Sequence, residues 1–253
     1  MFNLEIKRFI NNRSALYLFI SMSLIVLTNV IFEQAFSQDL AHDHAQRLLN
    51  VYQSFSQFSF FILAPIIGGM VAKDFENKYM YFYHQNKILL TKYFFVKFIL
   101  TACFIILFLS AILLIYQFIF PVELSVFFSV YVILSLNLLY CITVGLFLSL
   151  CFRRKTAGIM SMIFFFFIVS IVNLIPIPYL KGFMSVIDTN SFSTAYVYKL
   201  LGAPSISLNF PDTIELTSAN FLLTVFLPVV WIVLFMILTK LEIKRIEKDG
   251  YYV

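Results

Sequence analysis

Long apolar runs alternate with short polar breaks along this chain, and the runs set its organisation. The hydrocarbon core of a bilayer needs about 20 apolar residues per helix. On that basis six runs are predicted to span: Ser14–Ile31, Phe55–Ala72, Phe98–Phe120, Leu124–Cys151, Ala157–Ile175 and Asn220–Thr239. They are continuously apolar, whereas barrel strands would alternate. Ahead of the first run, residues 1–13 repeat Phe2, Ile6, Phe9 and Ile10 at helical spacing, with Asn3, Lys7, Arg8 and Asn11 largely elsewhere on the wheel. That pattern predicts a helix lying in the membrane interface. The expected fold is a single all-α polytopic membrane domain over residues 1–253. It has six transmembrane helices, the amino-terminal interfacial helix, a cytoplasmic helix between spans two and three, and short outer helices between spans five and six.

The breaks add detail. Pro65 and the Gly68–Gly69 pair weaken the second span locally, or let it pack closely against a neighbour. Pro121-Val122-Glu123 is so short that spans three and four are expected to be antiparallel neighbours. Pro176 and Pro178 end the fifth span. A segment from Lys181 to Ser218 follows on the outer side, too polar to span, with a helical stretch Ala195–Leu201 stopped by Gly202 and Pro204. Asn137 is the one strongly polar side chain deep in span four, placed to bond across helices. The outer loop Glu33–Asn50 holds Asp39, His42, Asp43 and His44; with no matching ligand cluster elsewhere, it reads as a solvated loop rather than a metal site.

Charge orients the bundle. Of the 18 Lys and Arg, only Arg47, Lys181 and Lys199 fall in the expected outer loops. The rest lie in the amino-terminal segment, the stretch after span two, the turn Arg153-Arg154-Lys155 and the carboxy-terminal tail. Positive loops stay inside during insertion, which predicts a multi-pass plasma-membrane protein with both termini cytoplasmic. Composition agrees: 61% of residues are hydrophobic and 12% charged, so the net charge of +5 is topological and does not point to nucleic acid. Cys103, Cys141 and Cys151 have no CxxC spacing and read as packing residues.

The chemistry that is absent narrows the function. No Asp, Glu, Lys, Arg or His falls inside the six expected spans, which argues against a proton- or sodium-driven carrier. There is no HExxH and no phosphate-binding glycine loop. The chain is therefore not expected to be an enzyme by itself, nor to bind a cofactor, a metal or ATP. Energy for any transport has to come from a partner.

The stretch Lys73–Lys97 is where such a partner would act. It holds five lysines and a dense aromatic run including Tyr79, Tyr81, Phe82 and Tyr83. Asp74 is placed to cap a helix starting at Phe75, with Glu76 near its positive end. Aromatic side chains on a cytoplasmic helix need cover, either a protein groove or the headgroup region. With its amino-terminal amphipathic segment, six runs, long inner loop and proline-bearing outer segment, the chain resembles the membrane subunits of ATP-binding-cassette (ABC) exporters of the type-2 permease class. That class has an acidic residue after span two, here Glu76 or Asp74, and a lysine at the start of span three, here Lys97. Where the class often has a Gly-Thr pair after the acid, this chain has Asn77-Lys78, so the register of the helix stays open. The resemblance implies a coupling helix around Asp74–Asn86 that contacts an ATPase subunit, with Asp74, Phe75, Glu76, Tyr79, Phe82 and Tyr83 as partner-binding residues. It also implies two ABC ATPase subunits that bind ATP and Mg, and a second permease subunit, either an identical chain or a sister chain.

The small single-domain form is most similar to Gram-positive exporters of amphipathic peptides, such as those for phenol-soluble modulins, and to lantibiotic-immunity permeases. The expected function is ATP-driven export of an amphipathic or hydrophobic substrate, a membrane-active peptide. The alternative is a stand-alone peptide-binding immunity protein that does not transport.

Overall fold

Backbone polar groups have no water to bond inside a bilayer, so long apolar segments close their own hydrogen bonds as helices. The computed structural model describes residues 2–11, 13–36, 44–68, 70–86, 88–174, 187, 189–201 and 220–249. Among these every regular element is helical. They are α1 (Phe2–Asn11), α2 (Ser14–Phe36), α3 (His44–Leu63), a π-helical turn (Ala64–Gly68), α4 (Met70–Glu76), α5 (Tyr79–Gln85), α6 (Leu90–Ile119), α7 (Leu124–Phe152), α8 (Lys155–Leu174), α9 (Thr189–Leu200) and α10 (Phe221–Asp249).

Four of these segments are long and apolar enough to cross a membrane: Phe58–Glu76, Leu90–Ile119, Leu124–Phe152 and Phe221–Lys248. A fifth arises if the bent pair formed by α1 and α2 counts as one span; the two axes meet at 58°. The apolar part of α8, Lys155–Val169, is shorter. The helices also outrun the hydropathy that predicted them. α3 begins at His44 rather than Phe55, α6 begins at Leu90 rather than Phe98, and α10 continues through the basic tail to Asp249. Helical hydrogen bonding does not stop where the apolar run stops. As a result Lys97, expected at the end of a loop, lies inside α6, and Asp74 lies inside α4. Both are ionisable groups within segments apolar enough to span, contrary to expectation.

α7 is the central helix: α3, α4, α6, α8, α9 and α10 all pack on it. From Asn137 to Leu146 it is buried on nearly every side, from Leu138 through Tyr140, Ile142 and Val144. The expected antiparallel pairing of α6 with α7 is present, and a Ser110–Tyr131 hydroxyl contact of 2.8 Å ties the two helices together. Peripheral helices bury only a stripe. In α2 the stripe is Leu18, Met22 and Ile25, while Leu16, Phe19, Leu24 and Leu27 stay exposed.

The second span departs from a straight helix where Pro65 and Gly68 interrupt it. Pro65 has no N–H to donate, and the backbone widens into the π-turn. Gly68 then meets Gly158 of α8 so closely that a Cβ on Gly158 would stand 2.2 Å from the Gly68 carbonyl oxygen. Just beyond, the Ser149 hydroxyl of α7 accepts the Ala72 N–H at 2.9 Å. Small residues thus let α8, the π-turn and α7 approach backbone to backbone.

The helical stretch expected near Ala195–Leu201 is α9. Its Thr189 hydroxyl donates to Asn137 Oδ1 at 3.3 Å, the cross-helix bond expected of Asn137. Tyr198 of α9 and Gln53 of α3 are hydrogen-bonded to each other. Asp39, His42, Asp43, Gly69, Pro176, Pro178, Lys181, Gly202, Pro204 and Ser218 lie outside the described residues.

Candidate functional site

At the basic end of the bundle, four charged side chains meet below the π-turn. Glu5 comes from α1, Asp74 from α4 and Lys97 from α6, each at most 6% exposed. Arg8, one turn after Glu5, closes the group. Lys97 Nζ stands 2.5 Å from Glu5 Oε2 and 3.1 Å from Asp74 Oδ2. Arg8 donates to Asp74 Oδ1 at 2.9 Å and to Glu5 Oε1 at 3.1 Å. Two phenols complete the network. The Tyr93 hydroxyl donates to Asp74 Oδ2 at 2.5 Å, and the Tyr83 hydroxyl donates to Glu5 Oε1 at 2.8 Å. All four carboxylate oxygens have partners, and the two acids are matched by two cations. Burying these charges is tolerable only under such pairing.

The network ties α5 to the bundle. After α4, Lys78 takes a left-handed conformation (φ 59°), and its N–H closes on the Phe75 carbonyl at 3.0 Å. That ends α4 and turns the chain into α5, a short helix with two faces. Met80 and Tyr83, three residues apart, point inward and are buried. Tyr79, Tyr81 and Phe82 are exposed, Phe82 at 58%. Burial and the bond to Glu5 hold the Tyr83 phenol above its ordinary range.

The six residues expected to form a partner surface therefore separate. Asp74 does not cap a helix at Phe75; it is inside α4 and belongs to the buried network. Tyr83 belongs there too. Phe75 is half-buried beneath the Arg153 guanidinium, 5.8 Å from the ring centre. Glu76 accepts the Lys155 N–H at 2.7 Å and so caps α8. Tyr79 is exposed, with Arg8 over its ring at 4.5 Å, and Phe82 is exposed beside it. Of the expected residues, only Tyr79 and Phe82 present rings outward.

Sequence reasoning passed over Glu5, Arg8 and Tyr93. The signal was available for Glu5. It shares a helix face with Phe2 and Phe9, at spacings of three and four residues, so it is a charge on the apolar side of α1. Phe9 is buried and stacks on Phe104 of α6, with ring centres 4.8 Å apart. That contact carries Glu5 inward.

A cavity of about 370 Å³ opens beside the network, with Glu5, Arg8, Asp74 and Lys97 in its lining. Among the described residues no group of three His, Cys, Asp or Glu is placed to hold a metal ion.

The model of the Peptide export permease protein YydJ family matches residues 2–251. The chain belongs to that family. Membership places it among the peptide-exporting permeases, the class its sequence resembles, and accounts for the apolar helices of a multi-pass membrane protein. No curated protein and no solved structure matches the chain. In this permease the buried network joins α1, α4, α5 and α6 at one end of the helices that form the membrane domain.

Proposed function

We propose that this permease is the membrane subunit of an ATP-driven peptide exporter, and that α5 is its coupling helix. The observation that carries this reading is the two-faced character of α5. Its inner face is anchored through Met80 and Tyr83, and its outer face offers the Tyr79 and Phe82 rings. An ATPase subunit that seats those rings in a groove gains the burial of exposed aromatic surface, worth roughly 1.5–3 kcal/mol per ring. Any displacement of α5 then reaches α1, α4 and α6 through Tyr83, Glu5, Asp74 and Lys97.

In this reading the basic end faces the cytoplasm, both termini are inside, and α2, α3–α4, α6, α7, α8 and α10 supply six spans in the plasma membrane. The assembly contains two permease chains, identical or sister, and two ATPase subunits that hold ATP and Mg. The cargo is an amphipathic, membrane-active peptide, moved outward.

Co-purification of the permease with its ATPase tests the reading. Tyr79→Ala together with Phe82→Ala should abolish retention of the ATPase and peptide export. Both rings are exposed, so the thermal midpoint of the permease should fall by no more than the loss of the Arg8–Tyr79 contact accounts for, about 0.5–1 kcal/mol. Full ATPase retention by the double variant would refute α5 as the docking element.

A further inference from the structure

The cavity beside the ion network carries more charge than the network uses. Four cations line it: Arg8, Lys73, Lys97 and Lys155. Glu5 and Asp74 are the two acids in the lining, and their oxygens are taken by Arg8, Lys97 and the two tyrosines. Lys73 and Lys155 are both exposed, and neither has a carboxylate within ion-pair distance among the described residues. The cavity thus keeps two unmatched ammonium groups. Apart from Tyr17, its other walls are apolar, formed by Phe9, Pro65, Ile66, Met70 and Leu100.

We propose that this cavity binds the headgroup of an anionic phospholipid, with the phosphate against Lys73 and Lys155. Its volume of about 370 Å³ equals roughly a dozen waters at ~30 Å³ each, room for a phosphodiester and the glycerol that carries it. A soluble anion would leave the apolar walls without a partner, while a lipid places its glycerol and upper chain against them. A cationic peptide would be repelled by the same two lysines, so the site is distinct from a path for such cargo. Beside α1, a lipid held here would sit against the helix that carries Glu5 and Arg8 and would brace the network from its open side. The proposal rests on the functional reading only for which leaflet supplies the lipid. Headgroup preference is independent of any ATPase.

The test uses the full-length permease, purified and delipidated in detergent, then titrated with phosphatidylglycerol or phosphatidylcholine while native mass spectrometry counts bound lipid. Phosphatidylglycerol should be retained in preference to phosphatidylcholine. Each of Lys73→Gln and Lys155→Gln should weaken phosphatidylglycerol retention about fivefold and leave phosphatidylcholine unaffected. Lys240→Gln with Lys244→Gln, two tail lysines away from the cavity, should leave the preference intact. Equal retention of the two lipids, an equal loss in the tail variant, or displacement of phosphatidylglycerol by millimolar inorganic phosphate would overturn the assignment.

Discussion

Lys97 touches both buried acids, so its ammonium is the group on which the network's balance turns. Removing one partner of a buried ion pair leaves an uncompensated charge and costs roughly 3–5 kcal/mol. Lys97→Met should therefore lower stability by about that much, read as a shift of the unfolding midpoint in detergent. Adding Glu5→Gln should recover part of the loss, because one orphaned carboxylate disappears. The Tyr83 phenol gives a pH signature. Its folded-state value is raised above the ordinary 10.0 by burial and by the bond to Glu5, so the folded protein holds this proton more tightly than the unfolded chain. The contribution is complete below about pH 10 and is lost as the pH rises further, through the folded-state value. Wild type should lose stability more steeply than Tyr83→Phe above pH 10 in an alkaline melting series. Identical slopes would remove Tyr83 from the network.

Among the elements, the second span is the most informative. Its π-turn and the Gly68–Gly158 approach set the spacing between α4 and α8, and with it the width of the cavity they both line. Gly158→Ala puts a methyl against the Gly68 carbonyl, a backbone atom that cannot rotate away. Overpacking of this kind typically costs about 1–3 kcal/mol, so a lowered melting midpoint is expected, with Gly68→Ala a milder case. The sequence made this contact legible only in outline. Pro65 and the glycine pair announced an irregularity, but nothing along the chain named Gly158 as the partner. The breaks at Pro121–Glu123 and Arg153–Arg154 were readable because they interrupt an apolar run. Helix ends were not, because hydropathy marks where lipid stops while helical hydrogen bonding continues, as in α3 from His44 and α6 from Leu90. Which face of a span turns inward was equally hidden. In α2 and α7 the few polar residues form no stripe, and periodicity carries little information when apolar residues occupy all sides of a helix.

For the whole molecule, the candidate site was half visible. The aromatic run Tyr79–Tyr83 stood out by composition, and the family resemblance pointed to Lys97 and to an acid that was either Glu76 or Asp74. The direct ion pair of Asp74 with Lys97 depends on how α4 and α6 come together, and the entry of Glu5 depends on the bend at Arg13 (φ 57°) that lays α1 against α6, tertiary events with no local code. The resulting arrangement gives the permease an exposed aromatic face joined by buried charges to three other helices, the observation on which the proposed coupling role rests.

The central claim is that Phe82 meets an ATPase, and photo-crosslinking in intact cells tests it most directly. A benzophenone amino acid is placed at Phe82, and in a parallel strain at Phe118, which is 94% exposed at the far end of α6. The account predicts an ATPase adduct from position 82 and none from position 118. Lipid adducts alone at position 82, or reaction of that position with an impermeant reagent added outside the cell, would contradict it.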